Sequence, residues 1–446
     1  MAKAERLAGT APGGREVRIE FEGERIAARE GEPLSTAMMV AGVEVFSRAV
    51  KYHRARGPYC LSGRCAQCLV RVDGEPNVTA CTTAVRDGMK VERQNAFPSV
   101  NHDVFRTIDW MYPRGLDHHK MFAGVPVVEH VVAKVAREMA GLGTLPDTAR
   151  APGASFASHK TGVLVVGAGA AGLAAARAAA AAGVTVTLVD EQPAPGGRLR
   201  SGLAFAGAPA AGWADEQAAM LREAGVHVLA GGFAFGLYRE HGTLVPVRTP
   251  SRHLVLVRPQ AVVIAAGAAE PLPAFGNNDL PGVFAGRALA RLVTVDGVLP
   301  GRTAVVAGDG PEASALAALL REAGCEVIAE VGLSAKGPRL VRARGRSNVA
   351  GAVITDASGA ERKVRCDLIA VAGVSSALVD LARHAGAHVA FRDGHFGVTV
   401  DADGATGVPG VFAAGEVCGP CSVDEAARQG ERAGRAAAQF VAGGVR

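Results

Sequence analysis

Four cysteines near the N-terminus are spaced for metal chemistry. Cys60, Cys65 and Cys68 stand as C-x4-C-x2-C, and Cys81 follows a run, 69–73, that reads as a strand. This is the spacing of plant-type [2Fe-2S] ligands, and thiolates suit the task because soft sulfur donors hold ferric and ferrous iron alike. Ser62, Gly63 and Ala66 are small enough to let backbone amides turn toward the sulfurs. Structural zinc competes, since four thiolates also make a tetrahedral site. Zinc ribbons pair two C-x2-C knuckles and this module has one, so the spacing favours a cluster.

A second chemistry is carried by glycines. Gly167, Gly169 and Gly172 form G-x-G-x-x-G directly after an apolar run, 163–166, of the kind buried on both faces of a parallel sheet. The first glycine allows a tight turn, the second admits a pyrophosphate to the backbone, and the third lets the helix sit close to the sheet. Ala170 and Ala171 open an alanine-rich helix that Gly183 ends, and 184–189 is a second strand closing on Asp190 and Glu191. An acid at that place accepts hydrogen bonds from an adenosine ribose. With strands, helix and acid all in place, the fingerprint marks a dinucleotide site rather than a glycine turn that binds nothing.

A near-repeat follows, Gly308-Asp-Gly310-Pro-Glu-Ala313, between strands at 303–307 and 326–331. It signals a second Rossmann-like unit. Counted from the first glycine, the place of Asp190 falls here on Val331, with Glu330 one residue early. A one-residue slip turns a strand side chain to the opposite face, so Glu330 is expected to miss a ribose. NAD(P) or another adenine nucleotide at Gly308 and Gly310 therefore stays open against an empty nucleotide fold. Arg339, Arg342, Arg344 and Arg346 read as a solvated basic loop rather than a 2′-phosphate contact.

Other segments must position these groups. In 15–100, residues 16–22 alternate like a half-buried strand, 23–24 turn into a partner strand at 25–28, and Ser35 caps a helix through Ala41. Residues 1–14 lack an apolar core and read as a disordered leader, not a signal peptide. The stretch 101–160 reads as a helical connector. In it 110–114 reads as a small hydrophobic patch, Val128, Val131, Val132 and Val135 share a helix face, 143–158 is linker-like, and His118 and His119 read as an exposed pair rather than metal ligands.

At 446 residues the chain exceeds one compact core and calls for two or three domains. Gly and Ala are abundant and aromatics scarce, as close-packed α/β layers require. A net charge of +5 with no dense basic run excludes nucleic acid as an expected partner, and no apolar run is long enough to span a bilayer. Eight cysteines grouped for metal rather than disulfides suit a reducing cytoplasm.

Residues 47–57, SRAVKYHRARG, together with the cysteine loop and 78–88, VTACTTAVRDG, resemble the N-terminal module of sarcosine oxidase alpha subunits. They are also similar to the small ferredoxin-like subunits of hydrogen cyanide synthase, opine oxidases and D-hydroxyproline dehydrogenases. The resemblance implies a β-grasp ferredoxin fold with Cys60, Cys65, Cys68 and Cys81 as ligands. Residues 192–199, QPAPGGRL, resemble two-dinucleotide-binding-domain flavoproteins, in which a P-G-G segment runs beneath the flavin. There Gly196 and Gly197 would bring backbone close to FAD, and Arg198 a cation near its diphosphate or ring. The strand 261–267, ending in Ala266-Gly267, resembles the ATG-type strand of the same class. Residues 407–416 resemble its closing strand, where an acid after Gly415 hydrogen-bonds the FAD ribityl chain. Glu416 stands where most relatives have Asp. A helix from 423 would aim its N-terminus at the flavin pyrimidine edge. Cys418 and Cys421 are either a low-pKa redox pair or packing within a flavin loop, and the neighbouring residues favour packing. Cys325 and Cys366 read as core residues.

The expected fold is thus α/β, with two nested Rossmann-like dinucleotide-binding domains preceded by a β-grasp ferredoxin-like [2Fe-2S] domain. Its expected order is 15–100 cluster domain, 161–282 first part of the FAD domain, 283–380 second nucleotide domain, and 381–446 second part of the FAD domain. No His, Tyr or Lys stands out as a catalytic base, so the catalytic residue stays unassigned and an electron relay is expected. The resemblance implies a D-amino-acid-oxidase-like FAD beta subunit as partner, with further small subunits, and a substrate of opine, hydroxyproline, proline, sarcosine or glycine type. It also gives sarcosine oxidase alpha subunits a long folate-binding domain. None follows Arg446 here, so tetrahydrofolate-coupled oxidation is not expected. A self-contained NAD(P)H-dependent reductase and a non-catalytic scaffold are the alternatives.

Overall fold

A computed structural model describes residues 4–8, 14–111, 156–203, 211–251, 253–334, 337–373 and 375–444. Two compact units emerge: Met1–Ala149 with Leu272–Val374, and Arg150–Pro271 with Ser375–Arg446.

The first unit opens with a five-stranded sheet ordered Glu24–Arg29, Glu16–Phe21, Lys90–Glu92, Leu69–Val72, Glu75–Thr79. Only the Glu16–Phe21 and Lys90–Glu92 neighbours run parallel. The helix Leu34–Val40 is buried along most of its length, with Leu34, Ala37 and Met38 fully covered. This is the β-grasp arrangement. Ser35 does not cap that helix. The helix begins one residue earlier, after Pro33, and Ser35 is fully buried with its hydroxyl unpartnered. A proline just outside the first turn fixes φ without needing a donor, which makes a side-chain cap dispensable.

In the same unit a four-stranded parallel sheet runs Val283–Ala285, Leu368–Val371, Thr303–Ala307, Glu326–Val331, and the helix Pro311–Glu322 makes the crossover between the last two strands. A three-stranded antiparallel sheet, Leu340–Arg344, Gly351–Thr355 and Glu361–Val364, follows. The cluster module is fastened to this fold. Arg54 and Arg56 both ion-pair with Asp279, Asn348 donates to Glu44 at 2.5 Å, and the Ala285 amide donates to the Tyr59 carbonyl at 3.2 Å. Part of the expected leader joins them. Glu5–Arg6 pairs antiparallel with Val298–Leu299, and Arg6 reaches the fully buried Glu32 carboxylate at 2.8 Å.

The second unit is built on one sheet. Five parallel strands lie in the order His227–Ala230, Val186–Asp190, Phe156–Val166, Leu254–Ile264, Val411–Ala413, and an antiparallel extension adds Val245–Arg248 and Phe233–Ala234. Val163 and Val165 bury one face with Leu188 and Val263, whereas Leu164 buries the other with Val189, Val262 and Ile264. The run at 163–166 is apolar throughout because both faces are covered.

The unit boundaries differ from those expected at two places. Residues 272–282 fall in the first unit, tied there by the Asp279 ion pairs and by the Gly276 amide donating to Val341. Residues 375–380 fall in the second, because Ala268–Ala269 pairs with Ser376–Ala377 and the Leu378 amide donates to Gly267. Of the connector, 112–155 lies outside the described residues, including His118, His119 and the valine-lined helix. Its described start is a short helix, Thr107–Met111, following a 3-10 turn that Asp103 caps, and Trp110 is exposed.

Candidate functional site

The cysteine loop folds back on itself through left-handed residues. Leu61, Gly63 and Ala66 all have positive φ, near 46°, 75° and 53°, a geometry that Leu and Ala adopt only when their surroundings enforce it. The consequence is an inward-facing row of amides. Ser62 and Arg64 donate to the Cys60 sulfur at 3.5 and 3.4 Å, and Gly63 donates to the Cys81 sulfur at 3.2 Å. The sulfurs also contact one another in a chain, Cys65 to Cys60 to Cys81 to Cys68. Hydrogen bonds from Cys65 and Cys81 hold the Cys60 thiol low, and one from Cys81 does the same for Cys68, while Cys65 and Cys81 are pushed up in turn.

Four sulfurs linked in one chain supply the donor set that two irons share. Amides aimed at the sulfurs stabilise the negative charge such a centre carries. The residues fit a [2Fe-2S] cluster.

In the second unit the glycine turn leaves the strand Phe156–Val166 and enters the helix Ala170–Ala181. Gly167 has φ near 102°, and a side chain there would strike the Ala265 carbonyl. A Cβ on Gly169 would meet nothing within 4 Å, so the turn is open on the side where a pyrophosphate approaches. A side chain on Gly172 would strike the Gly167 carbonyl. The buried Asp190 closes the turn, its Oδ2 accepting the Ala168 amide at 2.5 Å and its Oδ1 the Gln192 amide at 2.7 Å, and Glu191 follows it. Ala266 and Gly267 follow the strand Leu254–Ile264 after Ala265.

Gly415 packs against the turn from below, its would-be Cβ 2.9 Å from the Ala171 methyl. The helix Val423–Ala442 lies against the fingerprint helix, and side chains on Gly430 or Gly434 would strike the carbonyls of Ala171 and Ala175. Ser422 caps it, accepting the Glu425 amide at 3.1 Å. Gly197 begins a 3-10 turn, Gly197–Ser201, with its would-be Cβ 3.1 Å from Gly169. Arg198 and Glu416, both expected at the flavin, are joined to each other by an ion pair of 2.7 Å, and Arg198 also donates to the Cys421 carbonyl at 2.8 Å. The methylene that Glu416 has beyond Asp is what spans that gap. Gln429, which no local pattern announces, accepts the Gly415 amide at 3.0 Å.

Burial pushes the Cys418 thiol up to about 12, with Cys421 adding to the effect. A low-pKa dithiol is therefore not what this loop provides, and the two cysteines pack on opposite sides of the sheet. Cys325 and Cys366 are buried, as expected of core residues. In the second fold Gly308 and Gly310 do form a strand-to-helix turn, Val331 is buried at the strand end, and Glu330 points outward to Arg321 at 2.6 Å.

Fold and sites together define an FAD-dependent oxidoreductase with an added [2Fe-2S] module. Residues 14–96 match the 2Fe-2S iron-sulfur cluster binding domain family and 161–341 the pyridine nucleotide-disulphide oxidoreductase family. Sarcosine oxidase subunit alpha of Rhizobium meliloti is 31% identical over 82% of this chain and 40% of its own length. Hydrogen cyanide synthase subunit HcnA of Pseudomonas aeruginosa is 36% identical over 17% of this chain and 73% of its own. The fold is also that of L-proline dehydrogenase from P. horikoshii, with a TM-score of 0.73 at 22% identity, covering 96% of this chain and 74% of that one. The chain is an FAD-dependent oxidoreductase that carries a 2Fe-2S cluster binding domain, and it is related to sarcosine oxidase subunit alpha and, through its N-terminal module, to HcnA. It spans about 40% of the length of that sarcosine oxidase relative. Among the described residues, no helix is long and apolar enough to cross a membrane.

Proposed function

We propose that this chain is the electron-transferring subunit of a heteromeric dehydrogenase or oxidase acting on a secondary amine or amino acid of the opine, hydroxyproline, proline, sarcosine or glycine type. The observation that carries the reading is an amide-lined four-thiolate loop and a neutral, open pyrophosphate turn in one chain. When bound, FAD takes electrons in pairs and can give them up singly, while a [2Fe-2S] cluster moves one at a time. The chain's own residues bind and orient. Asp190 fixes the turn and faces the ribose side, Gly169 leaves the pyrophosphate its approach, and Arg198, Glu416 and Gln429 hold the loop that closes the crevice. Ser62, Gly63 and Arg64 set the charge balance of the cluster through their amides.

Substrate oxidation is assigned to a D-amino-acid-oxidase-like FAD beta subunit, with further small subunits. Support comes from the relatives, which are named as subunits of sarcosine oxidase and hydrogen cyanide synthase. We place its action in the cytoplasm, in keeping with cysteines grouped for metal rather than for disulfides. The experiment is an anaerobic titration followed by visible absorption, first of the isolated chain and then of the native complex recovered through a tag on it. Sarcosine, proline, hydroxyproline, an opine, glycine and NADH are added in turn. The relay reading expects the isolated chain to ignore every amine and the complex to bleach with one of them. Bleaching of the isolated chain by an amine would place oxidation on this chain, and bleaching by NADH would make it a self-contained reductase.

A further inference from the structure

The two glycine turns can be compared position by position. Gly167-Ala168-Gly169-Ala170-Ala171-Gly172 carries no charge, and its acid, Asp190, stands 23 residues after the first glycine. Gly308-Asp309-Gly310-Pro311-Glu312-Ala313 carries two acids inside the turn, and 23 residues after its first glycine stands Val331. The charges of the second turn are inverted relative to what a dinucleotide requires: acids where the pyrophosphate would lie, none where the ribose would.

The geometry shows what those acids do instead. Asp309 reaches across the mouth of the fold to the loop after Glu326–Val331, where its Oδ2 accepts the amides of Leu333 and Ser334 at 3.4 and 3.3 Å. A Cβ on Gly332 would lie 2.6 Å from the Asp309 Oδ1, so that place is kept empty for the carboxylate. In the FAD turn the same crossing is made from the opposite side, by Asp190 at the strand end bonding back to the Ala168 amide. Glu312 sits in the first turn of the helix Pro311–Glu322, buried, and binds Arg287 at 2.6 and 3.3 Å. The cation on hand for a phosphate is thereby committed to a carboxylate, and a fixed negative charge occupies the end of the helix dipole that would attract an anion.

We infer that Asp309 and Glu312 are specificity-determining residues that close the second nucleotide-type fold to pyrophosphate-bearing dinucleotides, NAD(P)H included. The fold is kept as the body to which the cluster module is fastened through Asp279, Asn348 and Val298–Leu299. This inference does not rest on the amine substrate or on the partner subunit.

The test is equilibrium dialysis of the FAD-saturated holoprotein against NADH and against ADP-ribose, with the wild type and the pair Asp309→Ala/Glu312→Gln compared. The retained [2Fe-2S] absorbance reports folding of the unit that holds the second fold, and Glu312→Gln alone serves if the pair does not fold. The wild type is expected to show no saturable binding at millimolar ligand, and the variant to gain affinity by about tenfold or more once Arg287 is released. Saturable micromolar binding by the wild type overturns the inference, as does a folded variant that gains nothing. NADH that binds without bleaching the flavin would overturn the closure and leave the relay reading standing. NADH that bleaches it would overturn both.

Discussion

Cys65 contributes a sulfur to one end of a four-thiolate chain. Cys65→Ser is expected to abolish the cluster's visible and EPR signals while leaving the flavin spectrum intact, which iron analysis and absorbance read separately. At the other cofactor, Asp190→Ala would strip a buried carboxylate from the Ala168 and Gln192 amides and from the ribose side together. Leaving such donors unsatisfied costs about 1–3 kcal/mol, so FAD should bind about ten- to a hundredfold more weakly, measured by flavin fluorescence on dilution. A third residue sets a pH dependence. Burial pushes Asp296 up to about 6 from an ordinary 3.8, Arg291 and Arg6 pulling it down and Glu32 pushing it up. The folded state thus holds this proton more tightly than the unfolded chain. The contribution is fully present below about pH 4 and is lost as pH rises through 6, by about 3 kcal/mol in the first unit. Asp296→Asn should remove that loss, and urea unfolding of both proteins at pH 4.5 and 7.5 checks it.

Among the elements, the helix Val423–Ala442 has the tightest tolerance. Gly430→Ala would drive a methyl into the Ala171 carbonyl, and overpacking of this kind costs about 1–3 kcal/mol. Thermal unfolding should fall by several degrees, with FAD released before the cluster is lost. Most elements were legible because their signals are local: both glycine turns, the buried strands with their β-branched runs, and C-x4-C-x2-C each declare themselves within a dozen residues. What was not legible depends on distant partners. The pairing of Glu5–Arg6 with Val298–Leu299 joins segments almost three hundred residues apart, so that a polar leader reads as disorder. Arg198 and Glu416 each looked like a cofactor contact, and nothing near either in the chain says that they meet. Ser35 misleads for the opposite reason. A serine at a helix start is a strong local signal, and Pro33 had already made it redundant.

For the molecule as a whole, the two cofactor sites set a capacity. With FAD and a [2Fe-2S] cluster both in place, one chain should accept about three electrons, two at the flavin and one at the cluster. An anaerobic dithionite titration followed at flavin and cluster wavelengths counts them, and an end point at about two would show that one site is not loaded. The order of the sites along the chain has a further consequence, for biosynthesis. The cysteine loop is complete once residue 81 has been made, whereas the floor beneath the pyrophosphate turn is supplied by Gly415, Gln429 and Gly430. Iron and sulfide can therefore be delivered to a chain still emerging from the ribosome, but flavin has no finished pocket until translation has nearly ended. Cells starved of riboflavin should accumulate a protein that carries iron and lacks flavin, while cells starved of iron should hold no equivalent head start.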